Sequence, residues 1–281
     1  MNDKSRQLSA VEAFRSLHTE GCFVLPNPWD PGTAVYLAKL GFKALATTSA
    51  GYAFSRGLPD DVSVISCDEV LNHLREVVDA TSLPVNADFQ NGYADEPEDV
   101  AQSVSLCIVT GAAGLSIEDA TGKRDAPLYD KWLAVERIRA ARHAIDESGV
   151  PVILTARCEA WLVGHTNAFE ISIERLVAFA DAGADCLYAP GVSDPGQIEA
   201  IVKAVSPKPV NVLVSRPDPN LTVSRLADLG VRRISVGSAL ARVAWGAFIR
   251  AASGIISTGT FDKLESGAPF TDLNEVFGRR S

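Results

Sequence analysis

The 281-residue sequence is short of several things, and each shortage removes a class of answer. It has four histidines and five cysteines. None falls into a C-x-x-C or H-x-H spacing, so no zinc site is expected. The cysteines (Cys22, Cys67, Cys107, Cys158, Cys186) are odd in number and scattered, which fits reduced thiols and a cytoplasmic protein. Basic residues are outnumbered, 26 Lys and Arg against 35 Asp and Glu, for a formal net charge of −9. A nucleic-acid or anionic-membrane partner would call for a basic face, and no Lys/Arg-rich run is present. No stretch approaches about 18 uninterrupted apolar residues, so no membrane-spanning helix is expected. The opening MNDKSRQLSAVEAF lacks the apolar core of a secretory leader. No linker or low-complexity segment interrupts the chain. One domain over 1–281 is expected, with a helical extension from about 239.

What is present is alternation. Eight short runs rich in Val, Ile and Leu read as strands: 22–26, 43–48, 84–89, 114–118, 152–157, 185–189, 209–214 and 232–236. Helical stretches separate them, which implies parallel pairing through crossover helices. Asp30-Pro31 and Asp194-Pro195 each set an N-cap before a first-turn proline. Ser9 with Glu12 and Ser66 with Glu69 match the capping box. LGFKALATT, TGAAGLSIE, AGADCLYAP and LGVRRISVG repeat one grammar, a helix-ending glycine followed by an apolar strand. Eight such units suit a closed β/α barrel. A doubly wound sheet would call for a G-x-G-x-x-G turn after an early strand, and there is none.

In such a barrel the chemistry sits at the C-terminal ends of the strands. Those ends carry Asp88 on the third strand, Glu118 on the fourth and Arg157 on the fifth. Two carboxylates with waters suit Mg²⁺, a hard cation that keeps part of its hydration shell. A nearby arginine suits an anionic substrate group. A structural Arg–carboxylate network in the barrel mouth explains the same spacing. Glu159 is placed to orient Arg157 or a metal-bound water. His165, in the loop after the fifth strand, is a candidate proton-transfer group. Cys158 reads as a buried structural thiol. SVGSA, after the eighth strand, reads either as a phosphate-type turn or as a simple helix cap.

The ordered set NPWDPGTA, TTSAG with GLPD, NADFQNGYAD, GLSIEDATG, TARCEAWL, AGADCLYAPG and LGVRRISVGSAL resembles the isocitrate lyase/phosphoenolpyruvate mutase superfamily, on its phosphonomutase-like and methylisocitrate lyase-like branch. The resemblance implies a (β/α)8 TIM barrel with an extra C-terminal helix exchanged between subunits of a homo-oligomer, a dimer or tetramer. It implies Mg²⁺, with Mn²⁺ as a substitute, and a small anionic 2-oxo acid or its enolate. Carried over by position, Asp88 is the metal ligand and Glu118 reaches the metal. Asp60, Glu118 and Arg157 form the catalytic set. Thr47, Thr48, Ser49 and Arg157 hold the substrate, with Asn86, Glu159 and His165 behind them. Asn86 stands where the family's first metal aspartate is usual. The loop after the fourth strand, DATGKRDAPLYD, carries neither the lyases' cysteine motif nor the mutases' K-x-N motif, and Pro190-Gly191 replaces the mutases' histidine. The expected activity is a Mg²⁺-dependent lyase or decarboxylase working through an enolate. A phosphonate-handling mutase or hydrolase, or a non-catalytic anion-binding barrel, remains the alternative.

Overall fold

In the computed structural model of the chain, residues 3–278 are described. The strands are β1 Phe23–Leu25, β2 Leu45–Ala46, β3 Val85–Asp88, β4 Gly114–Glu118, β5 Ile153–Arg157, β6 Cys186–Tyr188, β7 Val210–Leu213 and β8 Arg233–Ser235. The helices are α1 Asp3–Leu17, α2 Pro31–Lys39, α3 Ser49–Ser55, α4 Cys67–Asp79, α5 Pro97–Val109 and α6 Lys131–Ser148. They continue as α7 Ala168–Asp181, α8 Pro195–Val205, α9 Val223–Asp228, α10 Ala239–Thr258 and α11 Phe270–Gly278. Every strand lies inside its expected run.

The pairing of the first strand with the last decides the architecture. Phe23, Val24 and Leu25 lie in parallel register with Arg233, Ile234 and Ser235, so β8 sits between β7 and β1. The remaining pairs are also parallel and follow chain order from β2 to β8. At the one gap in the ladder, Ala46 N donates to Pro26 O at 3.0 Å across β1 and β2. This is the expected (β/α)8 barrel, and the doubly wound alternative falls away.

The local punctuation is mostly as read. Asp30 and Ser66 close capping boxes on α2 and α4, and Asp194 caps α8. Gly41, Gly111, Gly183 and Gly230 follow helices in the left-handed region that favours glycine. The Ser9/Glu12 box is not a helix start. α1 already begins at Asp3, and the Ser9 hydroxyl donates to Ser5 O within the helix. The tertiary contact explains it: Gln7, Val11 and Phe14 form a buried stripe, and Gln7 Nε2 donates to Ile108 O and Ala112 O.

Strand alternation separates two populations. Outward residues such as Phe89, Leu115, Ile117, Leu154 and Ile234 are buried in the apolar layer shared with the helices. Inward positions Asn86, Asp88, Ser116, Arg157, Asn211, Arg233 and Ser235 line a cavity instead. Barrel interiors are usually filled by branched aliphatic residues, so a polar interior is a departure.

The C-terminal extension stands apart. Of the 20 residues of α10 only Ala241 is buried, packed where Gly51 leaves room beside Trp29. By length and composition α10 is apolar enough to cross a membrane, which counting uninterrupted apolar runs did not show. Arg242 and Arg250 interrupt it. α11 returns to pack on α2, with Phe277 against Gly32. The end of the extension expected over 239–281, residues 279–281, lies outside the described residues.

Candidate active site in the barrel mouth

The cavity at the strand C-termini has a volume of about 160 Å³. Its centre is Arg157, the last residue of β5. Nη1 reaches Asp88 Oδ1 at 2.6 Å, Nη2 reaches Glu118 Oε2 at 3.2 Å, and Nε donates to Glu159 Oε1 at 2.9 Å. Its guanidinium also lies 5.1 Å from the Tyr188 ring centroid. Direct register sets this up, because Glu118, Arg157 and Tyr188 are paired neighbours on β4, β5 and β6.

The segment after β2 closes the other side. Asp88 N donates to Thr47 Oγ1, and Ser49 N donates to Asp88 Oδ2, each at 2.9 Å. The Thr48 hydroxyl accepts from Gly51 N and caps α3. Asp60 stands at the exposed rim and lines the same cavity, hydrogen-bonded to the Ser49 side chain. Thus Thr47, Thr48, Ser49, Asp60, Asn86, Asp88, Glu118, Arg157 and Glu159 are brought together. His165 is not among them: it is exposed, and its Nδ1 accepts from Asn167 N. SVGSA forms neither expected feature. Val236 N and Gly237 N both donate to Asn27 Oδ1, and Ser238 makes no side-chain cap.

The site holds more negative charge than it neutralises. Burial pushes the Glu118 carboxyl well above the usual range, with Glu159 and Asp88 adding to it and Arg157 opposing. Glu159 is pushed up to about 7, again by burial first. Partial burial and the Asp88 charge raise Asp60. Burial alone would lower Arg157, but Glu159, Glu118 and Asp88 outweigh it and hold the guanidinium firmly protonated. One guanidinium cannot offset four carboxylates, and Asp60, Glu118 and Glu159 retain protons more readily than free acids.

Several residues position the site although the strand ends gave them no role. Asp119, fully buried, accepts from Glu159 N at 2.8 Å and from Arg175 Nη1 at 2.9 Å. Arg175 Nη2 donates to Tyr129 O, which ties the fourth loop to α7. Asp119 follows Glu118 directly, so its outward phase on the strand was the available signal. The third loop is held in an unusual conformation. Gln90 and Tyr93 have φ of 43° and 56°, and Gly92 lies between them at 75°. Arg137 pins this loop from beneath through the carbonyls of Asn91, Ala94 and Asp95. Gln90 O in turn accepts from Glu118 N at 2.9 Å, so the strained turn fixes the end of β4.

Asn86 is the odd member. It is 3% exposed, its Nδ2 donates to Ala87 O, and its Oδ1 has no partner. Oδ1 lies over Gly114, where a Cβ would come within 2.8 Å of it. Asn86 lines the same cavity as Asp60 and Asp88, and a set of oxygen donors with surplus negative charge fits a hard divalent cation. Among the described residues no three His, Cys, Asp or Glu side chains form a ready-made ligand cluster. The carboxylates gather on Arg157 rather than on one another, so the fit is to a cation that keeps much of its water. A larger groove, about 680 Å³, lies at the opposite end of the barrel beside α1 and away from these residues.

The profile of the phosphoenolpyruvate phosphomutase family matches residues 14–256. The chain belongs to this family. A protein from Burkholderia cenocepacia J2315 assigned as a lyase/mutase is 49% identical, with a TM-score of 0.94, covering 99% of this chain and 98% of its own. The 2-methylisocitrate lyase of Escherichia coli (strain K12) is 30% identical over 205 residues, 70% of this chain and 67% of that one. The oxaloacetate decarboxylase of Pseudomonas entomophila (strain L48) is 30% identical over 238 residues, 81% of this chain and 78% of that one. The expected superfamily is therefore correct, and with it the assignment as an enzyme of the lyase and mutase type. In this member of the phosphoenolpyruvate phosphomutase family, Arg157 is enclosed by the site's own acids, and Asn86 is the unsatisfied group.

Proposed function

We propose that this enzyme cleaves a bond adjacent to a small 2-oxo or 2-hydroxy carboxylate by stabilising an enolate, with Mg²⁺ or Mn²⁺ as cofactor. The observation that carries the reading is the cluster of Asp60, Asp88, Glu118 and Glu159 around a single guanidinium, facing the hydroxyls and amides of Thr47–Ser49. The relatives' activities on methylisocitrate and oxaloacetate support it.

Asp88, Glu118 and Asn86 Oδ1 are the residues that would hold the metal, with Asp60 and Glu159 reaching it through water. When bound, the cation supplies Lewis-acid polarisation of the substrate's carbonyl and carboxylate oxygens. Arg157 is fixed by three carboxylates before substrate arrives, so little reorganisation is needed to stabilise developing negative charge. The Thr47 hydroxyl, which accepts from Asp88 N and keeps its own proton free, orients the substrate carboxylate. Tyr188, whose phenol is pushed up to about 12 by burial, keeps its proton and offers a neutral donor over Arg157. A cavity of about 160 Å³ equals the liquid volume of about five waters.

The apolar face of α10, with Val243, Phe248, Ile249 and Ile256 exposed, supports a homo-oligomer in which a second copy covers it. This gives the helix a protein partner rather than a bilayer and agrees with a cytoplasmic enzyme.

Incubation with oxaloacetate, methylisocitrate and phosphonopyruvate, with pyruvate as readout, tests the function. Mg²⁺-dependent pyruvate from oxaloacetate is expected. Consumption of phosphonopyruvate alone would favour the mutase reading. Tight oxalate binding without turnover would favour a binding barrel.

A further inference from the structure

Two loops meet beside the mouth, and one of them carries Asp60. The other, the loop after β4, is a braced hairpin. Tyr129 N donates to Asp119 O at 2.9 Å and Thr121 N to Pro127 O at 3.0 Å, with an antiparallel bridge between Ala120 and Leu128. The Tyr129 hydroxyl donates to Asp95 and accepts from Asn91 Nδ2 at 3.1 Å. Lys123 Nζ reaches Asp95 Oδ2 at 3.3 Å, and Arg175 Nη2 donates to Tyr129 O at 2.8 Å. The hairpin is therefore tied to the third loop, to α7 and to itself.

The segment between α3 and α4, residues 56–66, is held mainly by local bonds. Leu58 N donates to Ala53 O at 2.9 Å and Val64 N to Asp61 O at 3.3 Å, and the Ser63 amide and hydroxyl both donate to Asp61 Oδ1. Gly57 opens it at φ 72°, with open space where a Cβ would stand. A void of about 10 Å³ separates Asp60 and Asp61 from Gln90 and Tyr93, so the third loop supports Asp60 incompletely. What reaches the hairpin is Val62. A Cβ on Gly122 would come within 2.6 Å of Val62 Cγ2. The two loops can touch there because position 122 is glycine, at φ 75° in the left-handed region.

We infer that Val62, seated on Gly122, is a positioning residue: it braces the 56–66 segment against the fixed hairpin and so sets Asp60 at the mouth. Val62 lies outside the cavity that Asp60 lines and acts through the Asp60 carboxylate, two residues away. The inference rests on the small-acid site proposed above. It gives the hairpin DATGKRDAPLYD a task there, as the strut for a group carried by another loop. A carboxylate fixed before the ligand arrives spares the entropy of ordering its segment on binding.

The test joins calorimetric titration of oxalate in Mg²⁺ to limited trypsin digestion, both on the full-length protein. Val62→Ala is expected to weaken oxalate binding about fivefold, as small misplacements of a site group do. Val62→Ile keeps the branched contact and stays within about twofold of wild type. Asp60→Asn also weakens binding, and adding Val62→Ala to it costs nothing more, since both act through one carboxylate. Digestion tells the two loops apart, because Arg56 opens the segment and Lys123 and Arg124 stand at the hairpin tip. Val62→Ala speeds cleavage after Arg56 and leaves cleavage after Lys123 and Arg124 unchanged. If Val62→Ala or Asp60→Asn binds oxalate as wild type does, the inference is overturned and the small-acid site stands. A full further loss on adding Val62→Ala to Asp60→Asn overturns it too, since Val62 would then act by another route. Equal acceleration at Arg56 and at the hairpin tip overturns it, because the hairpin is then no fixed support. If wild type binds no oxalate in Mg²⁺, the small-acid reading falls, and the positioning role falls with it.

Discussion

The mouth and the floor of the cavity each hold one buried arginine, and they are solved in opposite ways. Arg157 at the mouth is enclosed by Asp88, Glu118 and Glu159. Arg233 at the floor meets Asn211, Thr155 and His18, all neutral. The first guanidinium organises charge that belongs to the protein. The second is left with its charge uncompensated.

The largest expected contrast is in stability. Arg157→Met strips three buried carboxylates of their counter-charge and should lower unfolding free energy by about 3–5 kcal/mol at pH 8. Arg233→Met removes a cation with no acid partner and should stay within about 1 kcal/mol of wild type, since hydrophobic replacement of an unpaired buried charge is often neutral. Urea denaturation of both variants measures the difference. Equal losses would erase the distinction between mouth and floor.

Next in size is Asn86→Asp. It adds a carboxylate beside Asp88 and gives the orphaned position a charge. Without metal the variant should melt lower than wild type. With Mg²⁺ it should bind about 10-fold tighter, as ligand charge count sets affinity for hard cations. Calorimetry and thermal melts with and without Mg²⁺ read both arms. No change in Mg²⁺ affinity would place Asn86 outside the metal's reach.

The smallest effect is a pH dependence. Glu159 has its folded-state pKa raised, to about 7, so the folded protein holds the proton more tightly than the unfolded chain does. Stability tied to that group is fully present below its unfolded value, about 4.3, and is lost as pH rises through about 7. Glu159→Gln fixes the neutral form. In metal-free protein its stability relative to wild type should therefore increase from pH 5 to pH 8. A flat difference across that range would mean Arg157 fully compensates Glu159.

Much of the fold was legible because its signals are local and repeated. Eight apolar runs, glycine-ended helices and Asp-Pro starts all survived into the structure. The α1 boundary did not, because docking of Gln7, Val11 and Phe14 outweighs a Ser/Glu pair that resembles a cap. The mouth of the site was legible too, since Asp88, Glu118 and Arg157 stand at strand ends. The floor was not. Asn211 and Arg233 sit at or near their strands' beginnings, and attention to the ends alone passes over them. The inward phase shared by Arg233 and Ser235 was the signal that would have found them. His165 failed for the opposite reason: its loop is near the mouth in sequence, but the ring turns to the Asn167 amide in solvent.

The proposed function requires the surplus carboxylate charge in the mouth to hold a divalent cation and a small acid together. Calorimetric titration of oxalate into the wild-type protein, in EDTA and then in Mg²⁺, tests this most directly. Oxalate affinity at least 10-fold tighter with Mg²⁺ is expected, matched by tighter Mg²⁺ binding when oxalate is present. Oxalate affinity that is undetectable in both conditions, or identical in both, would contradict it.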